Sequence, residues 1–235
     1  MKRNNLKYYN ILVTLCLCSF ITSCGQSSQN YNDLKDYGLK SKVKKQETIN
    51  YTQPIEKFGE WETEDSTSKY IITKTFNKDG LLIETIQRGV EMANKRTYII
   101  KNGQKTESIY FTGSERTNLS KFTYSDTSII EKEYRLNGKL STEIISILDK
   151  DKKVKQEEIK NYTEDGNLDS DTKSFFKNDS DGFLSHFENY DLLTKRTRVF
   201  DFTILKRDDK GNPIKILKRV DNKPFALQVL TYEYY

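Results

Sequence analysis

The stretch that decides the fold is Arg198-Val-Phe-Asp-Phe-Thr-Ile204, followed by the turn Asp208-Asp-Lys-Gly211 and by a second apolar run that ends at Val220. Apolar and polar residues alternate in both runs, as in a β-strand that buries one face. A turn with Asp and Gly between two such runs is a strong hairpin signal, because Gly accepts the positive φ that tight turns need. This stretch therefore predicts two antiparallel strands joined by a turn.

The same unit of strand and polar turn recurs from about residue 43 to residue 235. Helical periodicity is scarce, and only three prolines interrupt the chain. The spacing between successive turns, roughly 11 to 16 residues, suits one short strand and one turn. The predicted turns are Asn77–Gly80, Lys101–Gly103, Leu136–Gly138, Thr163–Gly166, Asp179–Gly182 and Asp208–Gly211, with copies that lack glycine at Ser125–Thr127, Asp149–Lys152 and Asp221–Lys223.

This pattern predicts an all-β protein. Consecutive hairpins favour an antiparallel meander that forms an elongated, solenoid-like sheet. Lys and Glu within the strands predict that one face of this sheet is exposed to solvent over much of its length. A barrel or a sandwich is the alternative that regular short strands leave open. The last segment, Phe225–Tyr235, has apolar residues at both odd and even positions, so both faces of the strand are apolar. This predicts a strand that is paired rather than frayed.

The N-terminus has the layout of an export signal. A positive segment, Met1–Lys7, precedes the apolar run Ile11–Ile21, which is too short to span a bilayer comfortably. The tetrad Ile21-Thr-Ser-Cys24 resembles the lipobox of bacterial lipoproteins, and that resemblance implies cleavage before Cys24 and lipid attachment to its thiol. We therefore predict a signal peptide over 1–23, a lipidated flexible tether over 24–45, and a β-hairpin repeat domain over 46–235.

Charge and composition exclude several functions. The net charge is +5, and three basic residues without an acid precede Cys24, so only +2 remains after cleavage. Nucleic-acid binding needs a more concentrated basic face. Cys16 and Cys18 lie in the signal peptide, which leaves no thiol for catalysis, disulfides or zinc after export. We assign no catalytic residue, cofactor or metal.

One segment resembles a calcium loop. Lys177–Glu188 has acids at Asp179 and Asp181, then Gly182, in partial agreement with the EF-hand spacing. The first position is Lys177, a cation where a carboxylate is needed. A hairpin turn explains the Asp-Gly sequence without a metal.

Other candidate residues are weaker. Paired carboxylates hydrolyse glycosides when two acids flank the scissile bond, and adjacent acids are common in a chain with 34 of them. The candidates are the pairs Glu157 with Glu158, Asp169 with Asp171 and Glu62 with Glu64, together with His186 as a general base and Trp61 as a sugar-stacking ring. Surface or core positions without chemistry are the favoured interpretation of each.

Charge is unevenly spread along the domain. Residues 195–223 carry a net charge of +6, and residues 139–191 carry −5. Segments of opposite sign attract each other or form a polar binding surface. Solvated faces with modest pair energies are the favoured interpretation.

Two stretches carry a family resemblance. Tyr37–Lys45, with Glu56–Gly59 and Phe76–Gly80 downstream, and Asp208–Pro213, running on to Tyr232–Tyr235, resemble degenerate YD or RHS-type repeats. The arrangement is similar to that of small lipoproteins of Bacteroidota. The resemblance implies export and β-repeats, and it brings no catalytic residues.

The functional hypothesis is a non-enzymatic lipoprotein, anchored in a membrane through Cys24, that presents a β-repeat surface to an envelope protein or a glycan as a binding or scaffold module. The alternatives are an envelope polysaccharide hydrolase with paired carboxylates and an immunity-type partner of an RHS toxin. The predicted location is the cell envelope, on the periplasmic face of the outer membrane.

Overall fold

The computed structural model describes residues 31–64, 69–89 and 92–235. These residues form one short helix and sixteen strands. The elements are α1 (Asp33–Asp36), β1 (Val43–Thr52), β2 (Ile55–Lys57), β3 (Glu60–Glu62), β4 (Lys69–Phe76), β5 (Leu82–Arg88), β6 (Ala93–Lys101), β7 (Gln104–Thr112), β8 (Glu115–Tyr124), β9 (Ser128–Arg135), β10 (Leu140–Leu148), β11 (Val154–Tyr162), β12 (Leu168–Asn178), β13 (Leu184–Asp191), β14 (Thr197–Arg207), β15 (Pro213–Val220) and β16 (Lys223–Tyr234).

Fourteen strands of the described chain close into one antiparallel barrel. From β4 to β16 each strand pairs with the next, and β1 lies between β16 and β4. Strands β2 and β3 form a separate hairpin in the connection from β1 to β4. Closure removes the unpaired strand edges that an open sheet would present.

Strand β16 is the closing strand. It pairs with β15 on one side, where Leu217 faces Leu227, and with β1 on the other, where Thr48 faces Leu230. Leu227 and Leu230 point to opposite faces of the sheet, and both are buried. The prediction that the C-terminal segment is paired is confirmed.

The predicted turns lie between consecutive strands, and their glycines have positive φ. Because neighbouring strands run in opposite directions, successive turns alternate between the two ends of the barrel. The turns that follow β4, β6, β8, β10, β12 and β14 share one end, which residues 31–42 cover. We call these residues the plug and that end the plugged end.

Hydrogen bonds and one close backbone approach seat the plug on three of these turns. The Leu34 amide donates to the Gly80 carbonyl at 3.1 Å, and the Lys40 amide donates to Asn212 Oδ1 at 2.7 Å. Gly38 has φ +68°, and a Cβ there would lie 2.3 Å from the Gly182 carbonyl oxygen. Lys153 Nζ donates to the same carbonyl at 2.9 Å, which ties the turn after β10 to the turn after β12.

Side chains along each strand alternate between the lumen and the outer wall. At the plugged end the inward residues Val43, Phe76 and Leu82 are buried against Leu34 of α1. This cluster closes the lumen beneath the plug.

The expectation of an elongated, solenoid-like open sheet is wrong, and the barrel kept as its alternative is the observed fold. Each hairpin does pair with its sequence neighbours, as the local pattern indicates. The pairing of β1 with β16 joins residues more than 170 positions apart, and no local pattern reports a contact of that range.

The domain boundaries also shift. Part of the predicted tether, residues 31–45, belongs to the folded unit that spans Tyr31–Tyr235. Its polar residues are structural: Asn32 caps α1 by accepting from the Lys35 amide at 3.0 Å. The signal peptide and Cys24 lie outside the described residues.

Deletion of Leu227–Tyr235 is expected to abolish soluble expression, because it removes most of β16 and exposes β1 and β15. Burial of one large apolar side chain contributes about 1.5–3 kcal/mol, so the loss of several approaches the total stability of a domain. Deletion of Tyr235 alone, which leaves β16 complete, is the control. A truncated protein with an unchanged melting temperature would show that β16 is dispensable for closure.

Candidate functional site

A buried ion pair fixes the plug to the barrel wall. Asp33 is 1% exposed, and its Oδ1 lies 2.7 Å from the ammonium nitrogen of Lys105 on β7. Its Oδ2 accepts from the Leu82 amide at 2.7 Å. Both carboxylate oxygens are thus compensated, as burial of a charge requires.

The second carboxylate of α1 is held in the same way. Asp36 Oδ1 accepts from the Val154 amide at 2.8 Å, and its Oδ2 accepts from the Tyr31 hydroxyl at 3.1 Å. Burial raises the pKa of Asp36, although both hydrogen bonds oppose that rise. The plug therefore binds β5 and β11, on different sides of the lumen.

Inside the barrel, next to the plug, the lumen holds a cavity of about 390 Å³. Tyrosines, phenylalanines and charged side chains from α1 and strands β5 to β13 line it. Rings beside a few charged and polar groups are the usual lining of a small-molecule site. We call this space the larger cavity.

Arg96 is the central cation of the larger cavity. Its guanidinium pairs with Glu131, donates through Nε to Ser108 Oγ at 3.0 Å, and lies over the rings of Tyr98 and Tyr110, with Cζ 4.6 and 4.5 Å from their centroids. The Tyr110 hydroxyl donates to Glu131 at 3.3 Å. These contacts hold both charges in place without a ligand.

Glu157 is the least engaged carboxylate of the larger cavity. It accepts one hydrogen bond, from Ser146 Oγ at 3.3 Å. Burial raises its pKa, and the negative charges of Glu131 and Asp36 raise it further. This wall therefore presents a carboxyl group with unused acceptor capacity to the larger cavity.

A second cavity, of about 210 Å³, lies on the opposite side of the lumen, also next to the plug. It is lined by β1, β4, β14, β15 and β16, and it shares Tyr37 and Leu184 with the larger cavity. Its lining is mostly apolar, with Lys74 as the only charged side chain among the described residues that line it. We call this space the smaller cavity.

Lys74 lies over an aromatic ring, with Nζ 3.7 Å from the centroid of Tyr37. It makes no ion pair within the described part of the chain. Burial lowers the pKa of its ammonium to about 8, although Asp33 and Asp36 act in the opposite direction.

Phenylalanines fill the lumen wall between the two cavities. The Phe187 ring stacks on Phe200 at 4.2 Å and lies 5.6 Å from Phe176 and 6.0 Å from Phe202. Lys218 pairs with Phe202 in register and lies 4.9 Å from the Phe200 ring. Burial lowers the pKa of Lys218.

The outer wall of the barrel is charged at mid-strand. Lys132 on β9 pairs with Glu143 on β10 at 3.1 Å, and Glu158 on β11 lies 2.7 Å from Lys160 and 3.7 Å from Lys173. These outward pairs are partly exposed; the Lys132–Glu143 and Lys173–Glu158 pairs join neighbouring strands, whereas Glu158 and Lys160 lie on the same strand, and such pairs stabilise a sheet modestly.

The structure separates the predicted acid pairs. Glu157 faces the lumen, whereas its neighbour Glu158 faces outward, because successive residues of a strand point to opposite sides. Asp171 lies opposite Lys160 on the outer wall. Glu62 and Glu64 are exposed beside the β2–β3 hairpin. Asp169 is exposed near the start of β12. Of the three predicted pairs, only Glu157 therefore contributes a carboxylate to the lumen.

The calcium-like segment is the turn between β12 and β13. Asp179 Oδ1 accepts from the Asp181 and Phe183 amides at 3.0 and 2.9 Å, which is the hydrogen bonding of a tight turn. Lys177 and Glu188, at the first and last positions of the motif, lie 3.8 Å apart as an ion pair. Within the described ranges no group of acids, histidines or cysteines is arranged to hold a metal.

His186 and Trp61 both lie outside the lumen. His186 contacts Asp201 at 2.8 Å and Glu188 at 3.3 Å on the outer wall, and these hydrogen bonds raise its pKa. The Trp61 ring lies 6.0 Å from the guanidinium carbon of Arg219. His186 thus links β13 to β14, and Trp61 links the β2–β3 hairpin to β15.

The sequence analysis missed the residues that define the lumen, among them Arg96, Lys105, Glu131 and Lys74. Each lies in a strand whose Lys and Glu residues the sequence analysis assigns to a solvent-exposed face. The signal that distinguishes them is parity, because each shares the face of aromatic residues such as Tyr98 and Phe122. Closure of the sheet turns that face into a lumen.

The fold and site define a closed antiparallel β-barrel with one plugged end and a divided internal cavity. No family model matches the chain, and neither does any curated protein. The structure is similar to that of a porin-like protein from Bacteroides vulgatus ATCC 8482, at 11% identity and a TM-score of 0.48, over 82% of this chain and 99% of that chain. It is also similar to a porin-like protein from Bacteroides uniformis ATCC 8492, at 11% identity and a TM-score of 0.47, over 83% of this chain and 98% of that one.

In the described ranges no helix is both long enough and apolar enough to cross a membrane.

Asp33→Ala is expected to lower the free energy of unfolding by about 3–5 kcal/mol, because it leaves the Lys105 ammonium buried without its partner. Urea denaturation measures the change. Glu233→Ala, which breaks the exposed pair with Lys45, is the control and is expected to cost less than about 1 kcal/mol.

A double variant separates the ion pair from simple packing. Adding Lys105→Met to Asp33→Ala removes the stranded ammonium and is expected to recover part of the lost stability. A double variant whose loss equals the sum of the two single losses would contradict coupling between Asp33 and Lys105.

Proposed function

We propose that this protein is a non-enzymatic, lipid-anchored barrel of the cell envelope that binds a small molecule in its lumen. The observation that carries the proposal is the larger cavity, which a closed wall and the plug enclose. A cavity that combines aromatic walls with basic and acidic side chains suits a small polar organic ligand. The binding surface thus moves from the exposed sheet of the sequence hypothesis to the inside of the barrel.

The outer wall supports a barrel that stands outside the bilayer. Lys132, Lys160 and Lys173 lie at mid-strand and point outward, and a lysine on the lipid face at the bilayer midplane costs about 2–4 kcal/mol. Several such costs together are comparable with the whole stability of an ordinary domain, about 5–15 kcal/mol. Attachment through lipid on Cys24, on the periplasmic face of the outer membrane, holds such a barrel at the membrane without insertion.

The cavity carboxylates favour binding over hydrolysis. Retaining and inverting glycosidases both need two acids that are free to reach one substrate bond. Glu131 is held by Arg96 and Tyr110, and both oxygens of Asp36 accept hydrogen bonds from the protein. The ion pair with Arg96 holds Glu131 in place, so the described lining of the larger cavity does not offer two free acids, and we propose no polysaccharide hydrolase. The immunity-type role remains a hypothesis by analogy.

Cys24→Ala is expected to abolish palmitate labelling and to release the protein from the membrane fraction in soluble form without detergent. Cys16→Ala and Cys18→Ala are the matched controls and are expected to keep both properties. Labelled Cys24→Ala protein would contradict the anchor. Unlabelled protein that still needs detergent would contradict a barrel that stands outside the bilayer.

Ile144→Trp is expected to block the larger cavity, because Ile144 lines it and tryptophan adds volume in the lumen. Native mass spectrometry of protein purified from its own envelope measures the bound compound, which the wild type is expected to carry and this variant to lack. Ile145→Trp, on the outer face of the same strand opposite Ile130, is the control. Equal occupancy of both variants, or a wild type without a bound compound, would contradict lumenal binding.

A further inference from the structure

The two sides of the lumen differ in charge. Inward-facing carboxylates of the larger cavity, Glu131 and Glu157, come from β9 and β11 and share that space with Arg96. The inward positions of β14, β15, β16, β1 and β4 include no carboxylate: Asp201, Glu47 and Glu233 on these strands point outward. The same five strands supply two inward lysines, Lys74 and Lys218. This side of the lumen is therefore apolar and positively charged.

Neither lysine has an acidic partner among the described residues. The Lys74 ammonium lies against the face of Tyr37, and Lys218 contacts the rings of Phe200, Phe202 and Phe225. The carboxylates nearest to Lys74 along the plug, Asp33 and Asp36, are already engaged by Lys105, Tyr31 and two backbone amides. Burial of an ammonium in an apolar site costs free energy, and a bound anion reduces that cost.

The surroundings of Lys74 fit an acyl chain. Beside it the smaller cavity is lined by aliphatic and aromatic side chains from the plug and four strands: Leu39, Ile72, Phe202, Ile204, Ile216 and Leu230. A space of about 210 Å³ holds a molecule smaller than an ordinary drug-sized ligand. The cavity therefore combines one cation with an apolar slot of limited length.

We propose that the smaller cavity binds a small amphipathic carboxylate, with the carboxylate on the ammonium of Lys74 and its aliphatic chain against the apolar wall. The inference rests on the proposed function, since it names the ligand class for one part of the same lumen. It is independent of the compound that occupies the larger cavity. Octanoate is the simplest molecule with both parts.

Calorimetric titration of the full chain with octanoate tests the proposal, with 1-octanol as the uncharged analogue. The wild type is expected to bind octanoate at least about tenfold more tightly than 1-octanol, because a charge-assisted hydrogen bond replaces a neutral one. Lys74→Met is expected to weaken octanoate binding about tenfold or more and to leave 1-octanol binding unchanged or stronger. Retained 1-octanol binding also shows that the variant is folded.

Lys69→Met is the matched control, since Lys69 lies on the same strand and is exposed. It is expected to bind octanoate like the wild type. Equal affinity of the wild type for octanoate and 1-octanol, unchanged octanoate binding in Lys74→Met, or equal weakening in Lys69→Met would each overturn the proposal.

The failure of this proposal is distinguishable from the failure of the proposed function. If octanoate does not bind while Ile144→Trp still removes a compound that Ile145→Trp retains, the assignment of a carboxylate to Lys74 is wrong and lumenal binding stands. If octanoate binds as expected but no compound depends on Ile144, the smaller cavity is the site and the assignment to Lys74 stands.

Discussion

The pairing of β1 with β16 is the constraint on which the rest of the structure depends. It turns a meander of sequential hairpins into a barrel, and by doing so it converts one face of every strand into lumen. A twisted sheet of this many strands tends to curl, so closure also satisfies the strand edges that would otherwise invite aggregation. The inward side chains line a common space only when β1 pairs with β16.

Closure alone does not explain a defined lumen, because the plugged end needs a lid. The plug supplies it with polar contacts in addition to the apolar cluster around Leu34. Asp33 and Asp36 bind backbone amides of β5 and β11, and Asn212 binds both polar backbone groups of Lys40. Hydrogen bonds of this kind are directional, so they fix the plug in one position. That position places Tyr37 between the two cavities.

Local patterns predicted the local structure. The alternation around Phe200 and the Asp-Gly turns gave the strands and most of their connections, because turn chemistry and strand parity act over a few residues. Closure was left open as an alternative, since it depends on a contact between Thr48 and Leu230 that no local signal reports. The polar segment around Asn32 was interpreted as tether for the same reason, because its partners lie far along the chain.

The candidate site was predicted less well than the fold, and the reason is physical. A Lys within a strand, such as Lys74 or Lys132, has the same local sequence signal whether it faces water or a lumen. Parity relative to the aromatic residues distinguishes the two cases: Lys74 shares its face with Phe76, whereas Lys132 lies opposite Glu143 on the outer wall. That comparison becomes informative only when one face is known to be enclosed.

The distribution of charge then follows from the same alternation. Outward charges such as Lys132 and Lys173 face acids on the neighbouring strands, where water and the partner compensate both charges. Inward charges form ion pairs near Arg96 and Lys105, whereas Lys74 has no ion pair among the described residues and lies over the Tyr37 ring. Asp33 and Asp36 offset part of the burial penalty on its ammonium, and an anion in direct contact would offset more of it.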